Sequence, residues 1–225
     1  MDLQDIFALL NFYINKFTGG WYTVPELEGI LDAGSMGVYS DYKPKYATSQ
    51  LAKEILMPFK QTYNFTTQVS GYVIVPDENY LDLLDLQIYF QISNRTVYYP
   101  IKLVNEDERA DRLNSQIDPV TVTSPIGEQT ATKTFRLYPV NPSGYNGNVT
   151  YLTRPVKPVF GYNVISGRVI VYDPNTSTQL QWRQSELSLV IIKALSGIGI
   201  NIGSQEIQGW SQVKTESNYQ NVNRL

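Results

Sequence analysis

Residues 84–92 decide the fold, and they read Leu-Asp-Leu-Gln-Ile-Tyr-Phe-Gln-Ile. Every second residue from Leu84 to Ile92 is apolar, and the residues between them are polar or, at Tyr89, amphipathic. A period of two places the apolar side chains on one face of a β-strand. The stretch therefore predicts a strand with one buried face.

Further strand patterns extend from this one. Residues 93–95, Ser-Asn-Arg, predict a turn, and alternate apolar residues from Val97 to Leu103 predict the next strand. Pro100 lies on the opposite face of that strand, which predicts a sheet edge or a bulge. Shorter strand candidates are residues 63–69, 71–75, 134–140, 148–153, 162–165 and 168–172, with a tight turn at 166–167. Because most connections are short, we expect an antiparallel sheet or a small sandwich.

Helical patterns lie on both sides of the strands. Residues 2–17 carry apolar side chains at steps of three and four. Thr23, with Glu26 three residues on, predicts the capped start of a second helix, and residues 49–57 predict a third. Residues 185–197 predict a helix that is apolar nearly all round, which must be covered on more than one side. Residues 204–216 predict a final, more polar helix.

The order of these elements predicts an α+β protein with N-terminal helices, a central antiparallel sheet or small sandwich, and a C-terminal helix pair. We expect three parts. They are an N-terminal helical segment (1–60), an antiparallel β-rich region with long loops and a short charged helix (61–183), and a C-terminal helix pair with a frayed tail (184–225). The long loops are residues 116–132 and 141–148. The charged helix begins at Asn105, a good N-cap residue.

Two residue types are absent, and their absence excludes several kinds of site. The chain has no cysteine, so it has no disulfide, thiolate nucleophile or zinc ribbon. It has no histidine, so Ser-His-Asp and Cys-His catalysis and the HExxH zinc site are excluded. We therefore expect a protein that is not an enzyme and that needs no cofactor.

The charge and hydropathy of the chain limit the classes of partner that it is expected to bind. The chain has 18 basic and 21 acidic residues, a net charge of −3, which argues against an electrostatic nucleic-acid binder. It has no apolar run of 18 residues, so we expect no membrane span. The start of the chain is acidic and does not resemble a secretory signal. These features predict a soluble intracellular product.

Three motifs resemble functional sites weakly. The glycine-rich run 196–203 follows a helix and departs from GxGxxG, so a helix C-cap and turn fits it better than a phosphate loop. Residues 173–177 begin like a calcium loop, but Thr178 and Gln184 replace the required Gly and Glu, which favours a turn. Lys193 lies in the most apolar helix, where a surface-directed ammonium is favoured over a Schiff-base nucleophile.

Several segments resemble the neck proteins of crAss-like tailed phages, the rings between portal and tail. The likeness lies in the charged stretch 105–115, in Pro125–Glu128 and Leu137–Pro139, and in Trp182 followed by the helix and closing segment up to residue 210. The likeness covers roughly residues 80–215. It lies in the order of the segments and in their residues, and it includes no catalytic motif.

The resemblance implies a virion structural protein, made in the cytoplasm of the bacterial host. Copies would form a ring of twelve in the neck, join portal to tail and neighbouring neck proteins, and surround passing double-stranded DNA without sequence-specific binding. Closed rings use head-to-tail contacts, and a slightly acidic chain would not grip the phosphates.

Six residues are the candidates for subunit contacts. They are Glu108, Arg109, Asp111 and Arg112 in the charged helix, and Leu189 and Ile192 in the apolar one. The charged residues fit a solvated helix start, an intersubunit salt-bridge patch, or a catalytic or metal role. For the whole protein, two alternatives to the ring remain. One is a head-decoration, tail or carbohydrate-recognition module, and the other is an enzyme with a carboxylate pair, such as a glycosidase.

Overall fold

A computed structural model describes residues 1–20, 22–67, 71–141, 143–165 and 169–202. The chain divides into two compact units. The helical unit combines Met1–Pro58 with Pro155–Leu225, and the sandwich unit is Phe59–Arg154. The predicted α+β class is confirmed, since helices precede the antiparallel sheets and a helix follows them.

In the part that the structure describes, the helical unit has four α-helices and a hairpin. They are α1 (Leu3–Thr18), α2 (Val24–Tyr42), α3 (Gln50–Ile55), the hairpin strands β9 (Tyr162–Ile165) and β10 (Val169–Tyr172), and α5 (Leu187–Gly197). Short 3₁₀ turns follow α2 at Lys43–Lys45 and α3 at Met57–Phe59. The predicted cap is confirmed at Thr23, whose N–H and hydroxyl each donate to Glu26 Oε2 at 2.7 Å. The last predicted helix, residues 204–216, and the tail after it lie outside the described residues.

The helices of this unit pack closely at α2 and α5. Gly34 of α2 is buried, and a Cβ placed on it would lie 2.7 Å from Ala194 Cβ in α5. Beside it, the buried Trp182 indole donates to Ser35 Oγ at 2.7 Å. Small residues on α2 therefore let the apolar helix α5 approach its backbone.

Among its described residues, the sandwich unit has eight strands and the charged helix. They are β1 (Lys60–Thr66), β2 (Tyr72–Ile74), β3 (Tyr80–Ile92), β4 (Arg95–Pro100), β5 (Lys102–Leu103), α4 (Glu106–Asn114), β6 (Ile126–Ala131), β7 (Thr134–Tyr138) and β8 (Asn146–Thr153). One sheet has the order β1-β8-β3-β4 and the other β2-β7-β6-β5. All pairs are antiparallel except β5 with β6.

Both sheets contribute to one buried cluster, which makes this unit a sandwich. Leu86 and Ile88 of β3 face Phe135 and Leu137 of β7 across it, and all four side chains are at most 1% exposed. The predicted turn is confirmed, since Ser93 and Asn94 have φ of +48° and +64° and join β3 to β4 directly. The predicted edge is confirmed too, because Pro100 lies on β4, at the end of its sheet.

The structure corrects the strand prediction at three places. A register shift between Leu83 and Asp85 makes Leu83, rather than Leu84, pack against the buried cluster. The predicted second strand is interrupted at Ile101, so that β4 and β5 belong to different sheets. The predicted loop 116–132 contains strand β6. Only Ile126 and Gly127 of this strand are buried, so its sequence lacks the alternating apolar pattern that predicts a strand.

The predicted three-part division also differs from the two units. The sequence patterns predict that residues 155–183 belong to the β-rich region, whereas in the structure they group with the helices. The contacts are specific, since Phe7 of α1 stacks on Phe160 at 4.5 Å between ring centroids, and the Phe160 N–H donates to Glu28 at 2.8 Å. Residues far apart in sequence therefore build the helical unit.

Alkaline pH should destabilise the sandwich through Tyr80. Burial, and then the charge of Asp82, raise the pKa of Tyr80 from 10.0 to about 12. The folded state thus favours the neutral phenol, so its contribution to stability is complete below pH 10 and is lost as the pH rises towards 12. Tyr80→Phe should make urea-unfolding stability fall less steeply over this range. Tyr98→Phe, at a position that is 53% exposed, is the control, and equal slopes in all three proteins would contradict the prediction.

Candidate functional site

The charged helix α4 begins where the sequence predicted. Asn105 caps it, since its Oδ1 accepts from the Glu108 N–H at 2.7 Å, and the acids 106–108 lie in the first turn. Negative charge at a helix N-terminus is favoured by the free N–H groups and the helix dipole. The acids of this turn therefore have a local reason to be there, independent of any partner.

Arg109 ties α4 to the strand that the sequence did not predict. Its guanidinium lies 2.6 Å from Glu128 Oε2 on β6 and 3.5 Å from Glu106. The Tyr138 hydroxyl also reaches Glu128, at 3.4 Å. The hydrogen bond to Glu128 raises the pKa of Arg109. The guanidinium thus already has a partner within its own chain.

The other charged candidates differ among themselves. Arg112 pairs with Asp118 in the following loop, and Glu108 pairs with Lys102 on β5. Asp111 is exposed on the outer side of the helix. The structure therefore brings Arg109, Arg112 and Glu108 into ion pairs of the sandwich unit, and Asp111 faces solvent.

The apolar candidates lie together on α5. Leu189 and Ile192 are partly exposed, whereas Leu187, Val190, Ile191, Ala194 and Leu195 are buried. At 100° per residue the two candidates fall on the side of the helix opposite the buried one. The helix is thus apolar on both sides, and its side chains are buried on one side and partly exposed on the other.

In the structure, the three weak motifs form a helix end, a turn and a surface ion pair. Gly199, with φ of +84°, caps α5, which confirms the predicted C-cap and turn. The side chain of Asp173 accepts from the Asn175 N–H at 3.0 Å, which confirms the predicted turn there. Lys193 is 44% exposed and pairs with Asp41 at 2.7 Å, as expected for an ammonium directed to the surface.

The described residues were also compared with the patterns of metal sites and membrane-spanning helices. They contain no group of three or more carboxylates placed to hold a metal ion. None of their helices combines the length and the apolar character needed to span a bilayer.

Two surface features have little signal in the sequence. Ile117, in the loop after α4, is 98% exposed, and its only signal was an apolar residue inside a polar stretch. In the helical unit, a cavity of about 520 Å³ is lined by Phe7, Tyr22, Phe160 and Tyr162, with the amides of Gln4 and Asn11 beside them. No periodicity marked this cavity, because its residues come from separate segments.

No family model matches the chain, and no curated protein matches it.

Proposed function

We propose that the protein is a virion structural protein that forms an oligomeric ring in the neck of a tailed phage, between portal and tail. The observation that carries the proposal is the outer face of α5. Leu189 and Ile192 lie there partly exposed, on a helix whose other side is fully buried. Fully burying an exposed side chain of this kind contributes about 1.5–3 kcal/mol. Because Leu189 and Ile192 are already partly buried, a neighbouring copy that covers this face gains only a part of that stability.

Other features support a role in assembly. The loop after α4 presents Ile117, which is 98% exposed; a single exposed apolar residue is common on protein surfaces, and in a ring it would add an apolar contact to a neighbour. The arginines of the charged helix α4 form ion pairs within the chain. The proposal therefore assigns the main contact between copies to α5 and not to α4. The net charge of −3 suits a ring through which DNA passes without being held. The likeness of several segments to neck proteins of crAss-like phages points in the same direction.

The native mass of the purified protein tests the ring. Twelve copies of the 25.6-kDa chain give about 307 kDa, and negative-stain images of that peak should show rings. Leu189→Gln combined with Ile192→Gln should shift the peak towards the monomer. Leu51→Gln, at a position on α3 that is 58% exposed, is the matched control and should leave the mass unchanged. A wild-type monomer that also fails to bind the portal would contradict the proposal.

The aromatic cavity of the helical unit favours a second candidate, a carbohydrate-recognition module. Tyr162 lines it and is 44% exposed, and the amides of Gln4 and Asn11 supply hydrogen-bonding groups. Aromatic faces and amides are the groups with which a protein binds sugars. Glycan-array binding that is lost in Tyr162→Ala would favour this function. Absence of glycan binding by the wild type would exclude it.

A further inference from the structure

One sheet of the sandwich unit, β1-β8-β3-β4, has a buried face and an outer face. Its buried face carries Phe65, Val149 and Ile88, which belong to the apolar cluster. Side chains alternate along a strand, so the residues between these point to the outer face. The pairing of the four strands places the outward side chains in rows that run across the sheet.

Two neighbouring rows define the chemistry of this outer face. The first row consists of three side-chain amides on adjacent strands: Asn64, Asn148 and Gln87. The second row has a hydroxyl, an amide and two aromatic rings: Thr66, Asn146, Tyr89 and Tyr98. These side chains are exposed or half-buried in the described chain, and we call them the amide face.

The amide face can form hydrogen bonds with a ligand. Within the described residues, the side chains of Asn64 and Asn148 make no hydrogen bond, whereas Asn146 Oδ1 accepts from the Thr66 hydroxyl at 2.8 Å. A side-chain amide has two N–H donors and an acceptor oxygen. The first row therefore offers both donors and acceptors.

An aromatic pair borders these amides. Tyr89 and Tyr98 lie opposite each other on β3 and β4, with their ring centroids 5.6 Å apart. Tyr98 is 53% exposed, so part of its side chain is available for contact. A tyrosine combines an apolar ring with a polar hydroxyl. The pair therefore places apolar surface beside the hydrogen-bonding groups.

The two rows of the amide face contain no charged residue. On one side, the next row runs through Thr62 and Thr150 to Asp85. On the other side, Gln91 and Thr96 form an uncharged pair. Nucleic acids and other anionic ligands are bound mainly through Lys and Arg. The amide face therefore favours an uncharged ligand.

Among uncharged ligands, a sugar chain fits the amide face better than a protein surface. A covering protein would remove the amides of Asn64 and Asn148 from water, which costs free energy unless each amide finds a partner. The buried centres of protein interfaces are accordingly more apolar than this face. A sugar has hydroxyl groups that donate and accept around its ring, and its C–H groups can lie on a tyrosine.

We propose that the amide face binds an uncharged polysaccharide in an extended conformation. The second row crosses four strands, which is about 14 Å at the usual spacing of about 4.8 Å between strands. This length accommodates several sugar units rather than one. The amide face shares no residue with the aromatic cavity of the helical unit, and the proposal does not depend on the ring.

Native electrophoresis in gels that contain a polysaccharide measures the binding. Dextran, mannan and galactomannan are the uncharged probes, and at least one should retard the wild type, whereas the charged control heparin should not. Asn148→Ala combined with Gln87→Ala should weaken the binding about tenfold, because two hydrogen bonds between uncharged groups are lost. Tyr98→Ala should weaken it about two- to tenfold. Tyr98→Phe keeps the ring and should keep most of the binding.

Two variants outside the amide face are the matched controls. Gln116→Ala removes an exposed amide from the loop before β6, and Tyr162→Ala alters the cavity of the helical unit. Both should bind as the wild type does. The proposal is overturned if no uncharged probe retards the wild type, if the variants of the amide face bind unchanged, or if Tyr162→Ala abolishes the binding.

The native mass of the same variants separates a sugar site from a contact between copies. Asn148→Ala combined with Gln87→Ala should leave the mass of the wild type unchanged. A lower mass would overturn the proposal, because the amide face would then be an interface between subunits. The gels work on a monomer as well as on a ring, so failure of this proposal is distinguishable from failure of the ring.

Discussion

Gly34→Ala should destabilise the helical unit by about 1–3 kcal/mol, the usual cost of forcing an extra methyl group into a packed core. The new Cβ would lie 2.7 Å from both Ala194 Cβ and Val190 O, and 2.8 Å from Ala194 N. Two of these atoms are backbone, so α5 must shift as a whole. Alanine's better helix propensity returns only about 0.5–1 kcal/mol. We expect the melting temperature to fall by on the order of 10 °C.

Gly29→Ala on the same helix should have the opposite effect. None of the described atoms lies within 4 Å of its added Cβ, so the gain in helix propensity remains and stability should rise by about 0.5–1 kcal/mol. Adding Ala194→Gly to Gly34→Ala should restore part of the loss, because it removes one close contact and leaves the Val190 carbonyl. A Gly34→Ala protein as stable as the wild type would show that α2 and α5 do not pack this closely.

The elements with strong local periodicity were predictable from the sequence. Helix α1 follows its steps of three and four, and Asp2 caps it by accepting from the Asp5 N–H at 2.8 Å. Strand β3 follows its alternation as far as the register shift near Leu83. Strand β6 was missed because a strand at which mainly Ile126 and Gly127 are buried carries no alternating apolar signal. The parallel pairing of β6 with β5 is a non-local contact, which no local pattern specifies.

The candidate site was predictable in part for the same reason. The cap at Asn105 and the two-sided apolar character of α5 are properties of adjacent residues, and both were found. The partner of Arg109 was not, because Glu128 lies 19 residues away on a strand that had no pattern of its own. The aromatic cavity needed Phe160 beside Phe7, a contact that only the folded chain creates.

Phe135→Ala should cost the sandwich unit about 3–5 kcal/mol, the usual loss when a buried phenylalanine is truncated. Phe135 is 0% exposed on β7, and its ring lies edge-on to Tyr80 of the other sheet at 6.5 Å between centroids. It therefore holds apolar contacts across both layers. Because whole domains are stable by only about 5–15 kcal/mol, the loss is a large part of the total.

Ile74→Ala is the control for the Phe135 prediction. Ile74 lies on the neighbouring strand β2, pairs with Thr134 and is 62% exposed, so its truncation should change stability by no more than about 0.5 kcal/mol. Urea unfolding of both variants measures the difference, and Phe135→Leu supplies an intermediate step if the alanine variant does not fold. If Phe135→Ala and Ile74→Ala cost the same, the two sheets do not share a packed core. The unit would then consist of two sheets that do not pack on each other, and truncating a side chain on either inner face would cost as little as truncating a surface residue.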